Sequence, residues 1–131
     1  MSSAALAPEV PPPLVLEPDD RAPLLARRFL AERFAEWGIE DDYTGRVVVS
    51  ELVTNSYLHG KGPIVVRVFL GERDGRPVVE VWDAGEGRPE VQPEDAGALC
   101  GRGLGLMAEL VHDWGVRPLN EGGKVVWATL R

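Results

Sequence analysis

The sequence contains little of what several common classes of protein require. Of its 131 residues only Cys100 is a cysteine, which excludes an internal disulfide framework and a cysteine-rich zinc site. Positive charge is also scarce: there are 14 Lys and Arg against 21 Asp and Glu, and the formal charge is -7. Because nucleic-acid binding and basic membrane-surface helices both need a positive surface, this balance argues against both classes.

Long apolar runs are missing as well. No stretch approaches the roughly 20 apolar residues of a membrane span, and residues 1–10 lack the basic and apolar segments of a secretory signal. We therefore expect a cytoplasmic protein that binds neither membrane nor nucleic acid directly. Hydrophobic residues make up 44% of the chain, which suits one globular domain with its own core.

The residues that are present divide the chain into a tail and one domain. Residues 1–13 are rich in Ser, Ala and Pro and end in three prolines, which favours a flexible or extended tail. An apolar run at residues 14–16, closed by Pro18, predicts a short first strand. We expect a single domain over residues 14–131.

Two amphipathic helices are predicted at the start of this domain. The first follows Asp19 and Asp20 and ends at Gly38, because apolar residues recur between them at three- and four-residue spacing. These residues are Leu25, Phe29, Leu30, Phe34 and Trp37. The second helix is predicted over residues 41–58, before Gly60. Its predicted buried stripe comprises Val47, Val48, Leu52 and Val53.

A β-hairpin is predicted after the helices. Branched apolar runs at residues 64–70 and 78–82 flank the pair Asp74-Gly75, which is a strong signal for a tight antiparallel connection.

The last third of the chain predicts one more helix and a second hairpin. Apolar residues from Leu104 to Val111 keep helical spacing, and Gly115 is predicted to end that helix. Residues 115–119 and 125–130 then pair as strands. Because the strands come in hairpins, the pairs should be antiparallel, and helices should cover one face of the sheet. The predicted fold class is α+β, a two-layer sandwich.

Two polar residues lie together on the second predicted helix. Glu51 and Asn55 are four residues apart, so they share one face. An amide oxygen can bind magnesium, and a carboxylate can position or deprotonate a hydroxyl nucleophile. From the spacing alone, a solvated helix face is the more common explanation.

Two glycine-rich segments add further candidates. Asp83 ends a strand and precedes Gly85 and Gly87, so it could accept a hydrogen bond from an amino group such as that of adenine; a simple turn explains the pattern equally well. The segment from Gly101 to Gly105 opens a helix and could offer backbone N–H groups to phosphate. It is neither a Walker A loop nor a dinucleotide-binding fingerprint.

Taken in order, these segments resemble the motifs of the GHKL ATP-binding superfamily. The segment from Glu51 to Gly60 is similar to its N-box, Val81 to Pro89 to its first glycine box, and Gly101 to Leu106 to its second. Within the superfamily, the chain resembles the stand-alone anti-sigma-factor serine kinases of bacterial partner switching over residues 14–130. The resemblance implies a Bergerat (histidine kinase-like ATPase) fold, with a mixed, mostly antiparallel sheet and with ATP between the sheet and its helices.

The resemblance also implies roles for the base and metal sites. Asn55 would bind the Mg²⁺ that bridges the phosphates, Asp83 would accept the adenine amino proton, and Gly85 and Gly87 would line the base. Lys124 stands near the place where many relatives have a Thr that helps to bind adenine.

The remaining roles concern phosphate and the nucleophile. Glu51 would act as the base toward a hydroxyl of a partner protein. Apart from the resemblance, the position of His59 at the end of the helix predicts that it caps the helix or lines the pocket wall. Residues 88–100 would form the ATP lid. The phosphates would lie against five residues, Gly101, Arg102, Gly103, Leu104 and Gly105.

The leading functional hypothesis is therefore an ATP-dependent protein serine/threonine kinase. It would phosphorylate an anti-sigma-factor antagonist, bind a sigma factor and form a homodimer, as relatives of this type often do. The alternative is a non-catalytic interaction module whose partner affinity is tuned by nucleotide. A histidine kinase fragment is a weaker third hypothesis, because the chain shows no long dimerising helix with a phosphoacceptor His.

Overall fold

A five-stranded sheet with two long helices on one face is the framework that positions the site. The computed structural model describes residues 11–85, 105 and 107–131. The strands are β1 (Leu14–Leu16), β2 (Ile64–Leu70), β3 (Pro77–Asp83), β4 (Val111–Pro118) and β5 (Lys124–Leu130), and the helices are α1 (Ala22–Glu36) and α2 (Tyr43–His59). The order across the sheet is β1-β2-β3-β5-β4, and all four pairings are antiparallel. The predicted two-layer α+β fold is confirmed, and among the described strands the sheet is antiparallel throughout, where a mixed, mostly antiparallel sheet was expected.

Helix α1 begins one residue before Pro23, which suits the first turn because its missing N–H has no partner there. Ala22, Ala26, Leu30 and Phe34 are its buried residues. Gly38 follows with φ +75°, a conformation that glycine adopts without strain, and the helix ends there as predicted.

Helix α2 crosses α1 closely. A Cβ on Gly45 would lie only 2.9 Å from a methyl carbon of Leu30, so glycine at this position lets the two helices meet. The buried face of α2 includes Val48, Leu52 and Val53, as predicted. It also includes Val49, which was not predicted, and the predicted Val47 is only partly buried. Among the described residues, no helix is long and apolar enough to cross a membrane.

The core lies between the helices and the near face of the sheet. Alternate residues of a strand point to the same side, so Val79 and Val81 of β3 and Val126 and Ala128 of β5 form one buried surface. The hairpin between β2 and β3 turns at Gly75, which has φ +71°, as the Asp-Gly pair predicted.

The third predicted helix ends earlier than its apolar pattern suggested. Residues 107–110 are helical, but Val111 already begins β4 and pairs with Leu130. Gly115 does not end a helix: it lies inside β4, opposite Trp127. The prediction failed because branched Val111 fits a strand as well as a helix, and the bonds to β5 decide which forms. The predicted tail, residues 1–13, lies mostly outside the described residues.

Candidate functional site

The candidate site is built around the carboxylate at the end of β3. Asp83 continues the row of Val79 and Val81, so its side chain points to the helix side of the sheet. Its direct partner on the neighbouring strand is Lys124, the first residue of β5. Asp83 is 6% exposed and Lys124 is 3% exposed. The antiparallel register therefore places two opposite charges side by side where the apolar core ends.

Three groups hold the Asp83 carboxylate. The Ser56 hydroxyl donates to Oδ2 over 2.7 Å, the backbone N–H of Gly85 donates to Oδ1 over 2.7 Å, and Lys124 Nζ lies 2.9 Å from the same Oδ1. These bonds come from α2, from the segment after β3 and from β5. A charge is costly to bury unless it is paired and hydrogen-bonded, and this carboxylate meets both conditions.

Glycines make this close approach sterically feasible. A Cβ on Gly60 would lie 2.7 Å from Asp83 Oδ2, and a Cβ on Gly85 would lie 3.0 Å from the Gly60 backbone. Gly123 has φ +91°, and a Cβ there would lie 2.5 Å from the Asp83 carbonyl oxygen. The end of α2, the end of β3 and the start of β5 can therefore converge on Asp83.

Helix α2 carries three candidate polar residues in its second half. Ser56 is bound to Asp83 and is 2% exposed; Asn55 is 6% exposed. Glu51 is half-buried one turn earlier, which is about 6 Å along a helix axis. Within the described ranges the Asn55 amide makes no side-chain hydrogen bond. Of the three, only Ser56 contacts Asp83 among the described residues. Glu51 and Asn55, four residues apart, share one face of the helix.

Burial raises the pKa of the Glu51 carboxyl above its ordinary value. The residue lines a shallow cleft between α1 and α2, where Arg27 donates to the hydroxyl of Ser50 over 2.8 Å. Partial desolvation disfavours the charged form. A carboxylate with a raised pKa takes up a proton more readily, which is the property a general base needs.

The other predicted site residues divide into two groups. Gly87, Gly101, Arg102, Gly103 and Leu104 lie outside the described residues, as does the predicted lid of residues 88–100. Gly105 is described and helical. His59 is exposed at the last position of α2, and no hydrogen bond among the described residues joins it to Asp83.

Two residues of the site were not among the predicted binding residues. Ser56 directly follows Asn55, so the motif itself offered a signal for it. Lys124 was noted only as a departure from the expected Thr. Its pairing with Asp83 follows from the β3–β5 register, which neither local segment reveals.

The possible metal ligands of the site can be compared with the Mg²⁺ that the motifs imply. Within the described residues, no cluster of three or more His, Cys, Asp or Glu could hold a metal by itself. Mg²⁺ usually keeps waters and binds one or two protein oxygens together with phosphates. A single buried amide, that of Asn55, fits a metal that arrives with a nucleotide.

Comparison with known proteins identifies the family. The sequence model of the histidine kinase-like ATPase domain matches residues 16–130. The chain belongs to this family, and it is therefore an ATP-binding domain of the GHKL type. No curated protein sequence matches it.

A solved structure with some similarity is the histidine kinase domain of a blue-light-activated histidine kinase from Erythrobacter litoralis. The two chains are 22% identical, and the TM-score is 0.47. The alignment covers 66% of this chain and 42% of the other.

Proposed function

We propose that the chain is an ATP-dependent protein serine/threonine kinase of the anti-sigma-factor type. It would transfer phosphate to an anti-sigma-factor antagonist and bind a sigma factor. The observation that carries the proposal is the contact of Ser56 with Asp83 over 2.7 Å, which places the Asp83 carboxylate beside the part of α2 that bears Asn55 and, one turn earlier, Glu51. Membership of the histidine kinase-like ATPase family supports the assignment of ATP to this site.

Each group has a role in this proposal. Asp83 accepts the amino proton of adenine. Asn55 lies beside Ser56 and would hold Mg²⁺, which neutralises phosphate charge when bound. Glu51, one turn earlier on the same helix face as Asn55, would serve the side of the terminal phosphate. Phosphoryl transfer depends on such positioning and charge neutralisation.

Glu51 would act on the hydroxyl of the partner protein. Its carboxylate accepts the proton while the serine or threonine oxygen bonds to the γ-phosphorus. The bond from that phosphorus to the β–γ bridging oxygen breaks, ADP leaves, and Glu51 later releases the proton to water. The half-buried setting and the raised pKa of Glu51 support this role. The phosphate adds about -2 of charge to the antagonist and weakens its docking on this acidic protein.

The test separates transfer from binding. The purified chain is incubated with γ-labelled Mg-ATP and a recombinant anti-sigma-factor antagonist from the genome that encodes it. Glu51→Gln should lower label transfer by about 10²- to 10⁴-fold, with calorimetric ATP affinity changed by less than about threefold. Glu32→Gln is the matched control, since Glu32 is an exposed glutamate on the other helix.

Two results would count against the kinase. Undiminished transfer by the Glu51→Gln chain would remove Glu51 as the base. ATP-dependent binding of the antagonist without any transfer would instead support the non-catalytic module, in which nucleotide only tunes affinity.

A further inference from the structure

Asp83 and Lys124 place a hydrogen-bond acceptor and a charged donor side by side at the candidate site. Lys124 Nζ lies 2.9 Å from Asp83 Oδ1, and the side chains are 4% and 0% exposed. The same Nζ lies 3.5 Å from the carbonyl oxygen of Gly85. The ammonium is therefore fixed beside the carboxylate that the proposed function assigns to the nucleotide base.

The hydrogen-bonding capacity of the pair is only partly used. A carboxylate offers about four lone-pair sites. Among the described residues, Oδ1 accepts from Gly85 and Lys124, and Oδ2 accepts from Ser56 alone. An ammonium has three N–H donors, of which one bonds Asp83 and a second is directed at the distant Gly85 oxygen. The described residues therefore leave one acceptor site and one donor for a ligand.

This pattern complements the edge of adenine. Adenine presents an amino donor at C6 next to a ring acceptor at N1, so an acceptor and a donor that lie side by side can bind both. Guanine presents the reverse order, with an acceptor at O6 and a donor at N1. With the carboxylate facing C6, guanine would meet an acceptor with an acceptor and a donor with a donor.

We propose that Lys124 is a base-recognition residue that donates a hydrogen bond to N1 of adenine while Asp83 accepts from the amino group. The inference rests on the proposed use of the Asp83 pocket for ATP, and it adds a second, charged contact to the base. Because the ammonium is already held by Asp83, little side-chain freedom is lost when the base binds.

The opposite role is that Lys124 obstructs the base by satisfying Asp83. The hydrogen-bond count argues against obstruction, because Lys124 bonds Oδ1, whereas among the described residues Oδ2 accepts from Ser56 alone. A charge-assisted bond to N1 would also be stronger than a neutral one. The two roles predict opposite effects when the lysine is removed.

The first experiment uses the unaltered chain. Calorimetric affinities are measured for Mg-ATP, 1-deaza-ATP, 7-deaza-ATP and GTP. Loss of N1 in 1-deaza-ATP should weaken binding by about tenfold to a hundredfold, as expected for a bond to a charged donor. Loss of N7, on the other edge of the base, should change affinity by less than about threefold, and GTP should bind more weakly than ATP.

The second experiment removes the donor. Lys124→Met should weaken ATP binding by about tenfold to a hundredfold and abolish the difference between ATP and 1-deaza-ATP. Lys61→Met is the matched control, because Lys61 is the other lysine of the chain and its side chain is exposed. Lys124→Thr repeats the test with a smaller polar side chain if the methionine variant fails to fold.

The outcomes separate this inference from the kinase proposal. Equal affinity for ATP and 1-deaza-ATP in the unaltered chain, tighter binding of GTP, or tighter ATP binding by Lys124→Met would each overturn the role of Lys124 alone. Binding that depends on N1 without phosphate transfer would overturn only the kinase. Absence of ATP binding would overturn both.

Discussion

Lys124 and Asp83 are cross-strand neighbours 41 positions apart in the chain, and their side chains form a buried ion pair with an N–O distance of 2.9 Å. The pair joins β5 to β3, and Ser56 joins the same carboxylate to α2. One carboxylate therefore connects both layers of the fold at the candidate site, and its partners affect stability as well as ligand binding.

Removing the cation alone should destabilise the protein strongly. Lys124→Met leaves the buried Asp83 carboxylate without its counter-ion, and we expect a loss of about 3–5 kcal/mol in the free energy of unfolding. Adding Asp83→Asn should restore part of that loss, because the remaining groups are then uncharged. Urea unfolding of the two single variants and the double variant measures the coupling.

A second ion pair of the sheet provides the control. Arg117 lies 3.4 Å from Glu80, but the arginine side chain is 53% exposed. Arg117→Met should therefore cost no more than about 1 kcal/mol. If the two substitutions cost the same, burial does not govern the strength of the Lys124–Asp83 pair.

Gly123 should tolerate a side chain less well than Gly75. Both have positive φ, +91° and +71°, so alanine is strained at either position. A Cβ on Gly123 would meet the Asp83 carbonyl oxygen at 2.5 Å, whereas nothing lies within 4 Å of one on Gly75. Gly75→Ala should cost about 1–2 kcal/mol. Gly123→Ala should cost more than this and should also weaken ATP binding, as thermal unfolding and calorimetry would detect.

The comparison isolates crowding from backbone strain. If Gly123→Ala and Gly75→Ala cost the same and ATP binding is unchanged, the close approach of β5 to Asp83 contributes nothing to the site.

The pKa of Glu51 gives a pH-dependent prediction. Burial raises the pKa of this carboxyl, so folding favours its protonated form. Its contribution to stability is fully present below the unfolded pKa and is lost as pH rises through the folded pKa. Glu51→Gln should therefore increase the melting temperature at neutral pH relative to the unaltered chain, and the difference should shrink as pH falls below the ordinary value of 4.5.

Asp74 offers an internal reference for the same titration. The backbone N–H of Arg76 donates to its carboxylate over 3.0 Å and lowers the pKa of Asp74 below its ordinary value. Carbon-13 NMR of the side-chain carboxyls should show Glu51 titrating above the usual range for Glu and Asp74 below that for Asp. Ordinary titration of Glu51 would contradict the desolvation that the half-buried position implies.

Much of this fold can be predicted from short stretches of sequence, because turns, helix ends and amphipathic helix faces depend on nearby residues. The Asp74-Gly75 turn, Gly38 at the end of α1 and the amphipathic faces of both long helices depend on neighbours within a few residues. The boundary at Val111 could not be predicted in this way, since the bonds to Leu130 and the rest of β5 decide that it is a strand.

The candidate site shows the same division. Glu51, Asn55 and Asp83 lie in recognisable segments, and α2 and β3 bring Ser56 and Asp83 into contact. The pairing of Asp83 with Lys124 depends on the register between β3 and β5. The sequence around Lys124 does not predict that register. When two strands are distant in sequence, only the assembled sheet shows which of their residues are neighbours.

Gly115 should resist substitution because of its neighbour on the far face of the sheet. It lies opposite Trp127, and a Cβ at this position would approach the Trp127 ring to 2.8 Å. Gly115→Ala should cost about 1–3 kcal/mol, as expected when a side chain is forced into occupied space. Thermal or urea unfolding provides the measurement.

A double variant identifies the cause of that cost. In a Trp127→Leu background the indole is gone, so Gly115→Ala should cost less than about 1 kcal/mol, the range of a substitution without a clash. An equal cost in both backgrounds would mean that the loss comes from the β4 backbone and not from the ring. A reduced cost would establish that the Trp127 ring is what excludes a side chain at position 115.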